Sequence, residues 1–165
     1  MLGLSNILST SSSTDQETYS LSLDGTGDFL YAEGLDGGKF PVTGSLSLWV
    51  KGDFTNSATT KAIFDDYSDS RDHFFIRNVG GGRNCQIQAF GTDKDAYVNG
   101  AGTFPLVDNQ WNHIAVTWDT ANELFKAYHN GVLKNSSAID VTAGQWVPNE
   151  QEVKFGKNSL GSLDE

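Results

Sequence analysis

The sequence predicts an all-β protein in which two antiparallel sheets pack face to face. Small uncharged polar residues are abundant, with 16 Ser, 13 Thr and 12 Asn, and charged residues make up 19%, whereas a typical globular domain has about 25%. Short stretches alternate between apolar and polar residues, with turn-forming residues between them. A helical period of 3.6 is not sustained over any window. Short antiparallel strands must cover their apolar faces, and the apolar character of both faces of 111–118 favours a sandwich over a barrel.

The chain is long enough for one domain with a sizeable core, and too short for several. Residues 1–17 end in a Ser- and Thr-rich tract that cannot bury enough surface to order itself. We expect this segment to be a flexible N-terminal arm with a small apolar tip, which either stays disordered or anchors the module to a partner. Residues 18–165 then form the folded domain.

Charge and composition exclude several classes of partner. The formal net charge is -10, which repels phosphate backbones and anionic membranes, so we expect no nucleic-acid partner. No stretch approaches the roughly 20 apolar residues that a membrane span needs, so no membrane insertion is expected. Residues 1–8 lack a basic region and make a poor signal peptide. Cys85 is the only cysteine, so a disulfide within the domain is excluded, and we expect this thiol to be buried.

The strands follow one another in short alternating runs. Residues 19–23 and 29–32 flank a glycine turn, and 45–50 should place Leu46, Leu48 and Val50 on one face with Ser45, Ser47 and Trp49 on the other. Further strands are expected at 62–64, 74–76 and 86–90. The clearest pattern is 111–119 followed by 123–135. Asn130-Gly131 there favours the positive φ angles of a type I′ turn and therefore a hairpin.

Five segments in this order resemble the concanavalin A-like, laminin-G-type (pentraxin-like) jelly-roll modules, a kind also found in bacteriophage structural proteins. The segments are 21–28, 45–50, 111–119, 126–132 and 161–165. The resemblance implies two curved sheets of about seven strands or fewer, with a concave face where sugar binders often place their sites. It also implies a last strand after Gly161 that pairs with the N-terminal one. Because the sequence stops at Glu165, we expect either an incomplete sequence or an exposed C-terminal edge that another subunit covers.

The resemblance also suggests a structural Ca²⁺ near the paired termini. Asp24 and Asp28 flank the glycine turn, and Asp164 would approach them in such a module; their carboxylates would supply the hard oxygen ligands that Ca²⁺ prefers. The alternative is that Asp and Gly only form the turn. A second acidic run, 65–72, is expected to be a solvated loop.

Aromatic side chains are the candidates for glycan binding, because sugars stack their apolar faces on exposed rings while neighbouring amides complete the recognition. The candidate residues are Trp49, Phe75, Tyr97, Asn99 and Tyr128. The alternative for most of these rings is core packing. Trp111 and Trp118 are assigned to structure.

A catalytic site is not expected. Jelly-roll glycosidases need two carboxylates about 5–5.5 Å apart, or wider for inversion, and no Glu-x-Asp-x-x-Glu run is present. Glu150 and Glu152 are placed in a loop after Pro148. His113 and His129 have no partner at metal-ligand spacing, so we expect polar residues packed on a sheet.

These observations leave three functional hypotheses. The first is a non-catalytic virion surface protein of a bacterial virus, either a capsid decoration or a tail or fibre component. It would be synthesised in the host cytoplasm and held by its own copies or other virion proteins through the N-terminal arm and the C-terminal edge. The second is a free, extracellular lectin-like module that binds polysaccharide; contact with host glycans would combine both. The third, a remote alternative, is a glycoside hydrolase.

Overall fold

The computed structural model describes residues 20–23, 28–33, 43–54, 60–67, 73–79, 83–91, 94–98, 104–119, 121–122, 124–138 and 152–156. The expected arm 1–17 and the expected terminal segment 161–165 lie outside these ranges. The described strands are β1 (Leu30–Glu33), β2 (Thr43–Val50), β3 (Lys61–Tyr67), β4 (His73–Asn78), β5 (Cys85–Gly91), β6 (Lys94–Val98), β7 (Asn112–Asp119), β8 (Leu124–His129), β9 (Val132–Ala138) and β10 (Glu152–Phe155).

The strands form two antiparallel sheets, which confirms the predicted all-β sandwich. The six-stranded sheet has the order β1-β10-β3-β4-β5-β6, and the four-stranded sheet has the order β2-β7-β8-β9. Strand β6 of the larger sheet contacts β8 and β9 of the smaller one, so the two sheets meet along this edge. None of the described segments is a helix that is long and apolar enough to cross a bilayer.

The core lies between the sheets and is rich in aromatic rings. Phe74 has no exposed surface and joins the two layers. Its ring centroid lies 5.2 Å from that of Phe64 in the larger sheet, and 6.1 Å and 6.2 Å from those of Trp118 and Phe125 in the smaller one. Such tilted and edge-on contacts are the arrangements that aromatic rings prefer. Cys85 is fully buried, as predicted, and burial raises the pKa of its thiol.

The predicted hairpin forms between β8 and β9. Asn130 and Gly131 have φ angles of 50° and 77°, which are the two positive values that a type I′ turn requires. The strands expected at 62–64, 74–76 and 86–90 are also present, as β3, β4 and β5. Each of them is longer than its apolar pattern.

Two predictions near the chain ends need correction. Glu152, which was placed in a loop, begins β10, and β10 lies between β1 and β3 with pairing on both sides. Its cross-strand partners override the local loop signals. Residues 20–23, expected to form part of a strand, have no strand structure. Leu21 in this segment is 62% exposed and Leu23 36% exposed, so the alternating leucines do not form a buried strand face.

Candidate site on the open face of the four-stranded sheet

One face of the four-stranded sheet points away from the core, and we call it the open face. Strand β2 alternates strictly between exposed and half-buried residues and β7 between buried and half-buried ones, because successive side chains point to opposite sides. The predicted division of β2 into two faces is therefore confirmed. The open face carries Ser45, Ser47 and Trp49 from β2, His113, Ala115, Thr117 and Asp119 from β7, and Leu124, Lys126 and Tyr128 from β8.

Trp49 is the most exposed large aromatic side chain of the described residues, at 63%. It pairs across the strands with His113, and the two ring centroids lie 4.8 Å apart at a 37° tilt. The imidazole Nε2 of His113 is 2.7 Å from the hydroxyl of Ser47, which fixes the plane of the ring. The indole is therefore braced by its neighbour on one side and open to solvent elsewhere.

The hairpin turn supports the same corner of the face. The backbone N–H of His113 donates to the side-chain oxygen of Asn130 at 2.9 Å, and the backbone N–H of Asn130 donates to the carbonyl of His113 at the same distance. The type I′ turn thus ties the end of β8 to β7. The turn residues therefore help to fix the backbone of His113, whose imidazole contacts Trp49.

A small side chain lies beside this corner. Ala115 pairs with Ser47 on one side and with Tyr128 on the other, and Tyr128 pairs with Leu133 of β9. Because Ala115 carries a single methyl group between a hydroxyl and a larger phenol ring, the face is low at its middle. Ring surfaces and a hydroxyl therefore surround an accessible strip of sheet.

An open groove of about 300 Å³ continues this strip toward the far end of the strands. It is lined by Thr43, Gly44, Thr117, Trp118, Asp119, Leu124 and Lys126. The side-chain amide of Asn122 donates to Asp119 Oδ2 at 2.7 Å, and its backbone N–H donates to Oδ1 at 3.1 Å. These bonds, the side-chain one first, lower the pKa of Asp119. This carboxylate is therefore ionised at neutral pH and is not a proton donor.

The chemistry of the open face is that of recognition. Asp119 is the one carboxylate that the described residues place there, whereas glycoside hydrolysis of the usual kind needs two across the scissile bond. The face does offer an exposed ring, several hydroxyl groups and the ammonium group of Lys126. These are the groups that bind and orient a polar ligand with an apolar surface.

The structure separates the five residues predicted for glycan binding. Trp49 and the half-buried Tyr128 lie on the open face. Phe75 is in the other sheet, is 4% exposed, and has the Arg77 guanidinium carbon 4.2 Å from its ring centroid, so the expectation that Phe75 offers an open ring is not supported. Tyr97 lies in β6, opposite Gln88, and Asn99 is outside the described residues.

The calcium expectation concerns residues that are mostly outside the described ranges. Asp28 is exposed and immediately precedes Phe29 and β1, whereas Asp24 and Asp164 are not described. In the described ranges no three His, Cys, Asp or Glu side chains are grouped so as to hold a metal ion. The calcium site therefore stays a prediction.

Sequence reasoning missed one contact of the site and the exposure of one tryptophan. His113 was expected only to pack on the sheet, which it does, but its contact with Trp49 depends on the register between β2 and β7. Trp111, assigned to structure, is 49% exposed just before β7, whereas Trp118 is buried as expected. Strand alternation from Trp118 would have placed Trp111 on the side away from Trp118, because seven residues separate them.

Comparison with solved structures finds several related sandwiches. The binding domain of botulinum neurotoxin DC in complex with SialylT superposes with a TM-score of 0.61 at 13% identity, covering 79% of this chain and 31% of that one. Botulinum neurotoxin type C, whose cell entry is described as dependent upon interaction with two ganglioside molecules, superposes with a TM-score of 0.53 at 16% identity, covering 68% of this chain and 26% of that one. Mouse laminin alpha1 chain domains LG4-5 superpose with a TM-score of 0.54 at 12% identity, covering 85% of this chain and 34% of that one.

The chain thus spans about a quarter to a third of the length of these structures, and identities this low establish a common fold alone. A search of curated proteins found no match. The model of the concanavalin A-like lectin/glucanases superfamily, in its laminin G form, matches residues 24–164. Because this match covers most of the sequence, and because the two sheets have the architecture that it requires, the chain belongs to the concanavalin A-like superfamily as a laminin-G-type jelly-roll module.

Proposed function

We propose that this protein is a non-catalytic glycan-binding module and that its binding site is the open face of the four-stranded sheet. The observation that carries the proposal is Trp49, a 63% exposed indole on a strand, braced by His113. Leaving so large an apolar ring in water has a free-energy cost that burial against a ligand removes. A sugar ring, apolar on one side and hydroxylated at its edge, fits such a surface.

Two further observations support this proposal. The ring and the neighbouring hydroxyl groups are presented by hydrogen-bonded strands, so they are pre-organised and little conformational entropy is lost on binding. Moreover, two of the similar structures are toxin binding domains whose descriptions name SialylT and ganglioside molecules. Those ligands belong to those proteins, of which this chain matches 26% and 31%, so they support the proposal only in that a sandwich of this fold occurs within glycan-binding proteins.

A glycan array followed by titration calorimetry on the best polysaccharide tests the proposal. Trp49→Ala should weaken binding at least about tenfold, since the stacking ring is worth 1.4 kcal/mol or more. Trp49→Phe should retain part of the affinity. Phe29→Ala removes a partly exposed ring beside the other sheet and should bind like the wild type. Equal affinity of Trp49→Ala and wild type would refute the site.

The hydrolase alternative makes a different prediction on the same samples. A hydrolase would release reducing ends from the bound polysaccharide, and Asp119→Asn would abolish that release. We expect no release by the wild type after prolonged incubation, because the open face lacks a second described carboxylate to complete the pair.

A place on a virion surface, with other virion proteins or its own copies as partners, is compatible with glycan binding and stays a prediction. Mass spectrometry of purified particles provides the test. Absence of the chain from the particles would leave the free, extracellular module as the remaining form of the proposal.

A further inference from the structure

The open face differs in charge from the protein as a whole. The sequence has 21 Asp and Glu against 11 Lys and Arg, but the described part of the open face presents Lys126 in its groove and a single carboxylate, Asp119. Lys51, which is exposed, follows Trp49 by two residues at the other end of the face. A lysine therefore lies at each end of a strip of an otherwise strongly acidic protein.

Among the residues that the structure describes, the one acid in the groove forms no ion pair with Lys126. Both oxygens of Asp119 accept hydrogen bonds from Asn122, at 2.7 Å and 3.1 Å, so this carboxylate is bound within its own turn. Within the described residues no ion pair involves Lys126, whereas the carboxylate of Asp108 is paired with Arg83 at 2.9 Å. The ammonium group of Lys126, a half-buried residue that lines the groove, is thus available to a ligand anion.

The spacing of these groups indicates the size of the ligand. In the register of the sheet, Trp49 is opposite His113, Lys126 is opposite Thr117, and four residues of β7 separate the two rows. Trp49 and Lys126 are therefore about 13 Å apart along the strand direction. Because β7 lies between their two strands, they are also about 10 Å apart perpendicular to that direction. A single sugar cannot touch both, but an extended chain of several sugars can.

From these observations we infer that the ligand of the open face is an acidic polysaccharide, which stacks one sugar on Trp49 and places a carboxylate or sulfate of a later sugar on Lys126. This inference rests on the proposed glycan-binding function and adds the chemical class of the glycan. Its physical basis is charge complementarity: in a protein of net charge -10, an anion is repelled from most of the surface and is attracted where a lysine without an ion pair lines a groove.

The test uses two matched pairs of polymers on the full chain. Polygalacturonate is compared with its methyl ester, and dextran sulfate with dextran, by biolayer interferometry at 50 and 500 mM NaCl. We expect the anionic member of at least one pair to bind more tightly and to lose affinity at the higher salt. Lys126→Gln should weaken that binding about tenfold.

Lys61→Gln is the matched control. It changes the net charge equally, but Lys61 lies in the other sheet, where its ammonium donates to the carbonyl of Asp53 at 3.0 Å. Its affinity for the anionic polymer should stay within about twofold of the wild type, because a distant exposed charge contributes little. A loss equal to that of Lys126→Gln would mean that net charge rather than the groove governs binding, and would overturn the inference.

The remaining outcomes separate this inference from the proposed function. If binding depends on Trp49 but the neutral member of each pair binds as well as the charged one, the site stands and the acidic ligand is refuted. If no polymer binds, or if Trp49→Ala binds every polymer as the wild type does, the proposed function fails and this inference fails with it.

Discussion

Gly44 of β2 lies directly against the indole of Trp118, its cross-strand partner in β7. A Cβ atom at position 44 would be 2.6 Å from Cε2 of Trp118 and closer still to Cζ2. The indole is 6% exposed and packs edge-on against Phe74 of the opposite sheet. Glycine at this position is therefore what allows the ring to lie flat along β2 and to fill the space between the sheets.

We accordingly expect Gly44→Ala to destabilise the fold. The buried ring cannot move without disturbing its core contacts, and overpacking of this kind costs about 1–3 kcal/mol. The melting temperature should fall by about 2–4 °C for each kcal/mol in a protein of this length. Gly52→Ala is the control, since its Cβ would meet Phe54 at an ordinary 3.5 Å. Equal melting temperatures of the two variants would contradict the packing described here.

Asn112 organises the loop that precedes β7. Its side chain accepts a hydrogen bond from the backbone N–H of Val107 and donates to the carbonyls of Val107 and Gln110, all at 2.8–2.9 Å. It is fully buried, and His129 Nε2 lies 2.9 Å from its Oδ1. This one buried amide thus links the backbone of Val107 and Gln110 to the buried ring of His129.

Asn112→Ala should therefore lower the free energy of unfolding by about 2–4 kcal/mol, because the buried His129 ring and the backbone of the preceding loop lose their hydrogen-bond partner at once and the side chain leaves a cavity. Urea denaturation followed by tryptophan fluorescence measures the change. Asn135→Ala, at a half-buried position on the edge strand β9, should stay within about 0.5 kcal/mol of the wild type. A loss no larger than that of the control would mean that water replaces the amide in the loop.

Local pattern predicts the elements of this fold better than it predicts their partners. The alternation of 45–50 was sufficient to predict a strand and its two faces, and the Asn130-Gly131 pair was sufficient to predict a hairpin. Both succeed because side-chain period and turn geometry depend on adjacent residues. Strand β10 was missed because its four residues gain their stability from β1 and β3, far away in sequence. The contact of Trp49 with His113 was missed for the same reason, because neither segment alone determines the register between two strands that are distant in sequence.

The calcium prediction is testable through Asp28, the one described residue of the expected set. Calcium that binds only the folded state stabilises it by about 2.7 kcal/mol at a hundredfold excess over Kd. We therefore expect CaCl₂ to raise the melting temperature and EDTA to reverse the rise, with a smaller response in Asp28→Asn. Asp53→Asn, an exposed position next to the core residue Phe54, should respond like the wild type. A wild-type protein indifferent to both reagents would leave Asp24, Asp28 and Asp164 as turn residues.

We expect the stability of the sandwich to be sensitive to acid through His129. Its ring is 7% exposed and stacks on Phe104, with 4.9 Å between centroids and 12° between planes. The amide of Asn112 uses its N–H groups on two carbonyls, so its oxygen faces His129 and accepts from the Nε2–H of the neutral imidazole. Burial first, and then the positive charges of Lys134 and His113, lower the pKa of His129 below its usual 6.5.

Because the folded state holds this proton less tightly than the unfolded state does, the free energy of unfolding should be constant above the unfolded pKa and should decrease as the pH falls below it. Urea denaturation at pH 7.5, 6.5 and 5.5 measures this dependence. His129→Gln removes the titrating group, so its stability, although lower at pH 7.5, should decrease less on acidification. His113→Gln changes a half-buried ring on the open face and should keep most of the wild-type slope. Parallel pH dependences of wild type and His129→Gln would show that the acid sensitivity arises elsewhere in the chain.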